Sequence, residues 1–246
     1  MRKLFFFLAL FIGSLQSMAQ PETDFEKANM LYQQNDFEGA IQRYNNIIAE
    51  GYEHVETYYN LGNAHFRLGN LGLAILNYEK AQKLNPKDED VLHNLELANK
   101  QVVDEFNVVP TPALQRIFRD VSGVFSSTVW SFIGLFFFGL MLIFTVLFLF
   151  VNRKTYFLTL VLLSFILGVA NEAMAFGRLQ VEQEQFAVLT APNSYVKSAP
   201  ADGAEDLFIL HEGTKVKVLD EFSGWQKIKL PDGKIGWINA DGLLLI

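Results

Sequence analysis

The chain contains no cysteine. That absence removes disulfides, thiolate metal sites and cysteine nucleophiles, along with attachment through a lipid-modified N-terminal cysteine. Any hold on a membrane must therefore come from apolar protein segments. Charge is also scarce, with Asp, Glu, Lys and Arg making up 19% of the 246 residues, and it leans acidic. The formal net charge is −7, and residues 22–105 alone hold 15 acids against 7 bases. Phosphate binding needs a stripe of lysine or arginine to displace counterions, so nucleic acid is not an expected partner. The 4 histidines, His54, His65, His93 and His211, are scattered, and no two form a helical metal pair with a carboxylate base. A glycine-rich phosphate loop and a nucleophile elbow are both missing. The sequence thus predicts no catalytic centre, no cofactor and no metal site.

What the chain has in excess is apolar. Half of it is hydrophobic, and 23 residues are Phe. Much of this surplus lies in three stretches. At the start, Arg2 and Lys3 precede an apolar run from Leu4 to Ile12, and Ser17-Met18-Ala19 forms a small-x-small site before Gln20. That order predicts a secretory signal peptide over residues 1–19, an uncleaved anchor or a buried helix being the alternatives. The run covers about 9 residues, or roughly 14 Å as a helix, which is under half of a bilayer core. Val129–Val151 and Tyr156–Phe176 are longer, about 34 and 31 Å as helices, and either could span. The expected transmembrane segments are 125–151 and 156–177.

Only Asn152-Arg153-Lys154-Thr155 joins them. So short a loop predicts an antiparallel hairpin, and its basic pair marks the cytoplasmic face. A signal peptide exports the N-terminal part, and the hairpin returns the C-terminus to the same side. The expected location is the inner (cytoplasmic) membrane, multi-pass, with both soluble parts periplasmic. Glu172 is the one charge inside a predicted span; it sits at the outer interface or pairs within the membrane. Ser164, Gly168 and Glu172 are spaced by four and share a helix face that admits close approach.

Residues 22–105 repeat with an offset of 34: Asp36-Phe37-Glu38-Gly39-Ala40-Ile41 aligns with Asn70-Leu71-Gly72-Leu73-Ala74-Ile75, Ala28 with Gly62, Asn29 with Asn63, and Tyr44 with Tyr78. This period and these residues resemble the tetratricopeptide repeat, which implies two antiparallel helices per unit. The second unit holds Tyr58, Leu61-Gly62, His65, Ala74, Tyr78, Ala81 and Pro86 at the signature positions, with His65 where Tyr is usual. In the first, Ala28, Leu31, Ala40 and Tyr44 fit, while Lys27 and Tyr52 replace Leu and Pro. A closing helix follows Asp88-Glu89-Asp90, with Val91, Leu92, Leu95 and Ala98 on one face. Two units and one helix make a short array, which predicts reliance on the membrane-proximal helix, on a second copy of the chain or on a partner. The resemblance implies a concave groove, and the repeat register turns Asn29, Tyr32, Tyr59, Asn63, Phe66 and Arg67 toward it. The asparagines suit a ligand backbone and Arg67 a carboxylate; the alternative is that asparagine is merely common at that repeat position and that the tyrosines are packing residues.

Residues 106–122 read as a stiff linker, Val108-Val109-Pro110-Thr111-Pro112, and a membrane-proximal helix. That helix either lies on the membrane surface or continues into the first span. From Gln185 the period changes to that of strands, with turns at Glu212-Gly213-Thr214 and Pro231-Asp232-Gly233-Lys234. Tyr195-Val196-Lys197-Ser198-Ala199-Pro200, Gly224-Trp225, Asp232-Gly233 and Gly236-Trp237-Ile238 resemble the bacterial SH3 domain, with Lys197 replacing the usual Arg. The resemblance implies a small all-β SH3-like barrel over residues 185–246 that binds wall peptide or protein. Trp225 and Trp237 are a ligand platform or part of its core.

The fold class expected is a multidomain membrane protein: an all-α tetratricopeptide solenoid, a two-helix transmembrane hairpin and an all-β barrel. This order resembles the BatE-type members of the Bacteroides aerotolerance family. The resemblance implies a scaffold that works with von Willebrand A-type membrane proteins and a MoxR-type ATPase. A peptidoglycan-binding envelope sensor is the alternative.

Overall fold

A computed structural model describes residues 20–107 and 110–246. The expected signal peptide (1–19) and Val108-Val109 of the linker lie outside the described residues. The remainder forms two compact units: residues 20–107 with 185–246, and residues 110–184.

In the first unit, five helices precede a sheet: α1 Gln20–Gln33, α2 Phe37–Ala49, α3 Val55–Arg67, α4 Leu71–Leu84 and α5 Glu89–Asn99. Local chemistry sets their ends. The Asp36 carboxylate accepts from the Gly39 amide to start α2, and Asp88 accepts from Val91 to start α5, where Glu89 and Asp90 also face the positive end of the helix dipole. Tetratricopeptide spacing then brings helices into contact through small residues. A Cβ on Gly62 would meet the Tyr78 ring at 2.7 Å, so α3 approaches α4 this closely only because position 62 has no side chain. Ala28, Ala40, Tyr44, Ile47 and Leu61 bury one cluster, and Ala74, Ile75, Leu76, Tyr78, Leu95 and Ala98 belong to a second.

Seven strands follow: β1 Gln185–Leu189, β2 Asn193–Lys197, β3 Asp206–His211, β4 Lys215–Phe222, β5 Trp225–Lys229, β6 Ile235–Asn239 and β7 Leu243–Leu245. Gly213 and Gly233 take positive φ in the two predicted turns. The sheet runs β3-β2-β6-β5-β4-β1-β7, so β3 and β7 are its edges and do not pair. This overturns the expected barrel: the sheet is open. The reason lies at its β1–β7 end. Strand β7 is short and pairs only with β1, and Val188 of β1 is fully buried among Ala74, Ile75 and Leu95 of the helices. Helices thus take one face of β1, while Leu244 and Leu245 of β7 stay exposed, and this edge is limited by the shortness of the strand rather than by a closing partner. Ala187, Leu189, Val196, Leu210, Val216, Ile228 and Ile238 fill the sheet's own core.

The second unit holds α6 Ala113–Ser122, α7 Ser127–Phe150 and α8 Lys154–Glu182. Helix α6 ends at Gly123 and α7 begins afresh, with the Ser126 hydroxyl accepting from the Val129 amide, so α6 is not a continuation of the first apolar helix. Trp130 donates its indole N–H to the Ser122 carbonyl (2.9 Å), which fixes the bend between them. Helices α7 and α8 pair through small residues: Gly134 receives the Glu172 side chain and Gly168 the Phe138 ring. At the other end, the Glu182 carboxylate accepts from the Ser127 hydroxyl (2.5 Å) and from Arg178 (2.9 Å). Both helices are long and apolar enough to cross a membrane. Leu135, Phe136, Leu142, Phe150, Leu162 and Ile166 are all exposed.

Candidate functional site: a helical cleft and a sheet face

The repeat register produces a second, polar repeat. Tyr44 donates its hydroxyl to Asn29 Oδ1 (2.6 Å) and Asn60 donates to the same oxygen (3.0 Å). Exactly one repeat period later, Tyr78 donates to Asn63 Oδ1 (2.7 Å) and Asn94 Nδ2 to the same atom (2.8 Å).

 Each asparagine carbonyl is therefore committed to its own helical pair, and what remains for a ligand is the asparagine amide N–H. Burial pushes the Tyr44 hydroxyl up to about 12 and raises Tyr78 as well, so both stay protonated as donors.

A cleft of about 170 Å3 opens beside the second of these triads. Of the six groove residues expected from sequence, it brings together Tyr32, Asn63, Phe66 and Arg67. Asn29 and Tyr59 are not on its wall: Asn29 is held by Tyr44 and Asn60, and the Tyr59 hydroxyl accepts from Asn94 (3.0 Å). The structure adds Tyr78, Asn94 and Leu97 to the lining. The signal for Asn94 was in the sequence, since it repeats Asn60 at the same 34-residue offset that pairs Asn29 with Asn63. Among the described residues, Arg67 is the one charged residue on the cleft wall. Its guanidinium lies 4.6 Å above the Phe37 ring, and Nη2 donates to Asn35 Oδ1 (3.4 Å). A guanidinium parked on an aromatic face and still exposed is ready to receive a carboxylate.

The sheet offers a second surface. Strand pairing sets Lys197 beside Trp237 and Trp237 beside Lys227. Gly236 and Ile238 point into the core, so Trp237 stands on the opposite face, with Lys227 Nζ 5.8 Å from its ring centroid. Lys197 pairs with Asp206 at 2.6 Å. Trp225 is buried, so the two tryptophans have different roles: Trp225 packs, and Trp237 is partly open to solvent. Such a ring flanked by lysines can stack on an apolar or sugar face while the cations meet carboxylates. Among the described residues, no group of three or more His, Asp or Glu is arranged to hold a metal ion.

Residues 55–88 match the tetratricopeptide repeat model, residues 28–69 match a further TPR repeat model, and residues 192–243 match the bacterial SH3 domain. The chain therefore carries tetratricopeptide repeats and a bacterial SH3-like segment. No curated protein matches it. Among solved structures, it is similar to an NlpC/P60 family protein from Bacillus cereus ATCC 10987, at 19% identity over 28% of this chain and 22% of that one, with a TM-score of 0.22. It is also similar to the UNC-45 chaperone, whose structure concerns the binding and folding of muscle myosin, at 17% identity over 70% of this chain and 20% of that one, with a TM-score of 0.33. The matched regions thus span about a fifth of each of these proteins.

Proposed function

We propose that the chain is a non-catalytic binding protein of the bacterial envelope, held in the inner membrane by α7 and α8, whose sheet takes cell-wall peptide and whose helical cleft takes a polypeptide partner. The observation that carries this reading is the presence of two binding-type modules, the repeats and the SH3-like segment, in one chain with two long apolar helices. The match of residues 192–243 favours wall binding over the narrower role of scaffold beside von Willebrand A-type proteins and a MoxR-type ATPase, which rests on domain order alone. The cleft supports a protein partner in addition, because its apolar wall and its single cation suit an acidic segment of polypeptide.

Topology supports the membrane part of the proposal. The helices and the sheet pack as one unit although residues 110–184 lie between them in sequence. A chain that leaves a folded body and returns to it must cross a membrane an even number of times. Two helices of spanning length meet that condition.

The test is sedimentation of the detergent-solubilised full-length protein with purified cell-wall sacculi. Trp237→Ala is expected to lower the retained fraction about tenfold, the loss of one aromatic anchor, while Arg67→Glu leaves it unchanged. Failure of the wild-type protein to sediment with sacculi contradicts wall binding.

A further inference from the structure

Helix α4 begins without a cap of its own. Asn70 occupies the N-cap position, and its side chain makes no capping hydrogen bond. The missing acceptor arrives from the turn between β3 and β4: Glu212 Oε1 takes the Gly72 amide at 2.8 Å, across 140 residues of sequence. Gly72 leaves room for this, since a Cβ there would lie 2.6 Å from the Leu189 carbonyl oxygen. The remaining contacts at this joint are equally specific. Lys215 Nζ meets the buried Glu79 at 2.6 Å. Asp104, just past α5, accepts from the His211 amide (2.7 Å), the His211 ring (2.8 Å) and the Thr214 hydroxyl (2.5 Å). Burial alone would raise the Asp104 pKa, but these donors outweigh it and hold the carboxyl below its usual range. Side chains cross in both directions: Val188 enters the helical core and Phe106 packs on the sheet core.

The repeat register says what the sheet replaces. Helices α1, α3 and α5 are first helices, α5 starting 34 residues after α3 at Val55. In the same register, α2 at Phe37 and α4 at Leu71 predict a further second helix from residue 105, but residues 102–107 contain no helix. The sheet lies against α4 instead. We propose that the sheet serves as the missing second helix of a third repeat, so that the helical array and the sheet are one discontinuous domain and the cleft depends on the C-terminal segment for its shape. The link is short. Val188 packs in the same cluster as Tyr78 and Leu95, and Tyr78 both lines the cleft and bonds Asn63. This inference stands whichever ligand the cleft or the sheet takes.

Hydrogen exchange on the full-length protein in detergent tests it, with the perturbation made far from the joint. Ile228→Ala opens a hole in the sheet core. If the domain is one cooperative unit, amides of residues 71–99 lose protection by the same factor as those of β4 and β5, about thirtyfold for a core truncation of this kind. The proposal is overturned if residues 71–99 keep wild-type exchange while the strands lose theirs. Glu212→Ala, which leaves both cores intact, provides the second readout: it should speed exchange at the first turn of α4, and an unchanged rate there also counts against the joint.

Discussion

Helices α4 and α7 both carry runs of apolar residues and use them in opposite ways. In α4, Ala74, Ile75, Leu76, Tyr78 and Ala81 are all buried by neighbouring protein. In α7, which is longer and more apolar, the one buried residue is Gly134. The first helix takes its stability from packing against α3, α5 and Val188. Among the described residues the second packs chiefly on α8, and most of its apolar surface meets no protein, as the proposed lipid surroundings require. The same amino acids therefore serve a core in one unit and an outer surface in the other.

The largest effect that would sharpen this contrast is a pair of truncations. Ile75→Ala should cost about 3 kcal/mol in denaturation of the detergent-solubilised protein, followed by helical circular dichroism. Leu135→Ala, at an exposed site of α7, should leave that transition where it is. Equal losses from both would mean that α7 is a protein-packed helix after all. A smaller effect separates the two units by pH. Burial of His65 pushes its pKa from the ordinary 6.5 to about 4. The folded state thus prefers neutral imidazole, and the unfolded chain takes up the proton first as pH falls. Stability from this residue is complete above pH 6.5 and declines as the pH drops toward about 4, by on the order of 2–3 kcal/mol. His65→Tyr, which restores the residue usual at that repeat position, should remove this slope from the pH-dependent melting of the helical array. A slope that survives the substitution would locate the proton uptake elsewhere.

How much of this was legible in the sequence varies by element. The 34-residue offset gave the helix pairs, and the Gly62–Tyr78 contact follows from small and large residues at repeat positions. The turns at Gly213 and Gly233 were readable because each needs a positive φ. Two things were not readable. The open sheet escaped notice because strand alternation reports which face is buried and is silent on which edges meet. The joint escaped because its partners, Gly72 with Glu212 and Asp104 with Thr214, are more than a hundred residues apart and obey no local spacing. The only local trace was an array one helix short of three full units. In the cleft, register located Asn63 and Arg67, but it could not tell that the Asn63 carbonyl was already taken by Tyr78.

A chain without cysteine allows a direct check on the central claim, that one folded body made from both halves of the sequence stands on the outer side of the inner membrane. Single cysteines at Lys87 and Asp202, both exposed, can be probed in spheroplasts with a maleimide that does not cross membranes. The account predicts that both positions label fully before lysis. Labelling of one position alone, or of neither until the membrane is opened, would contradict it.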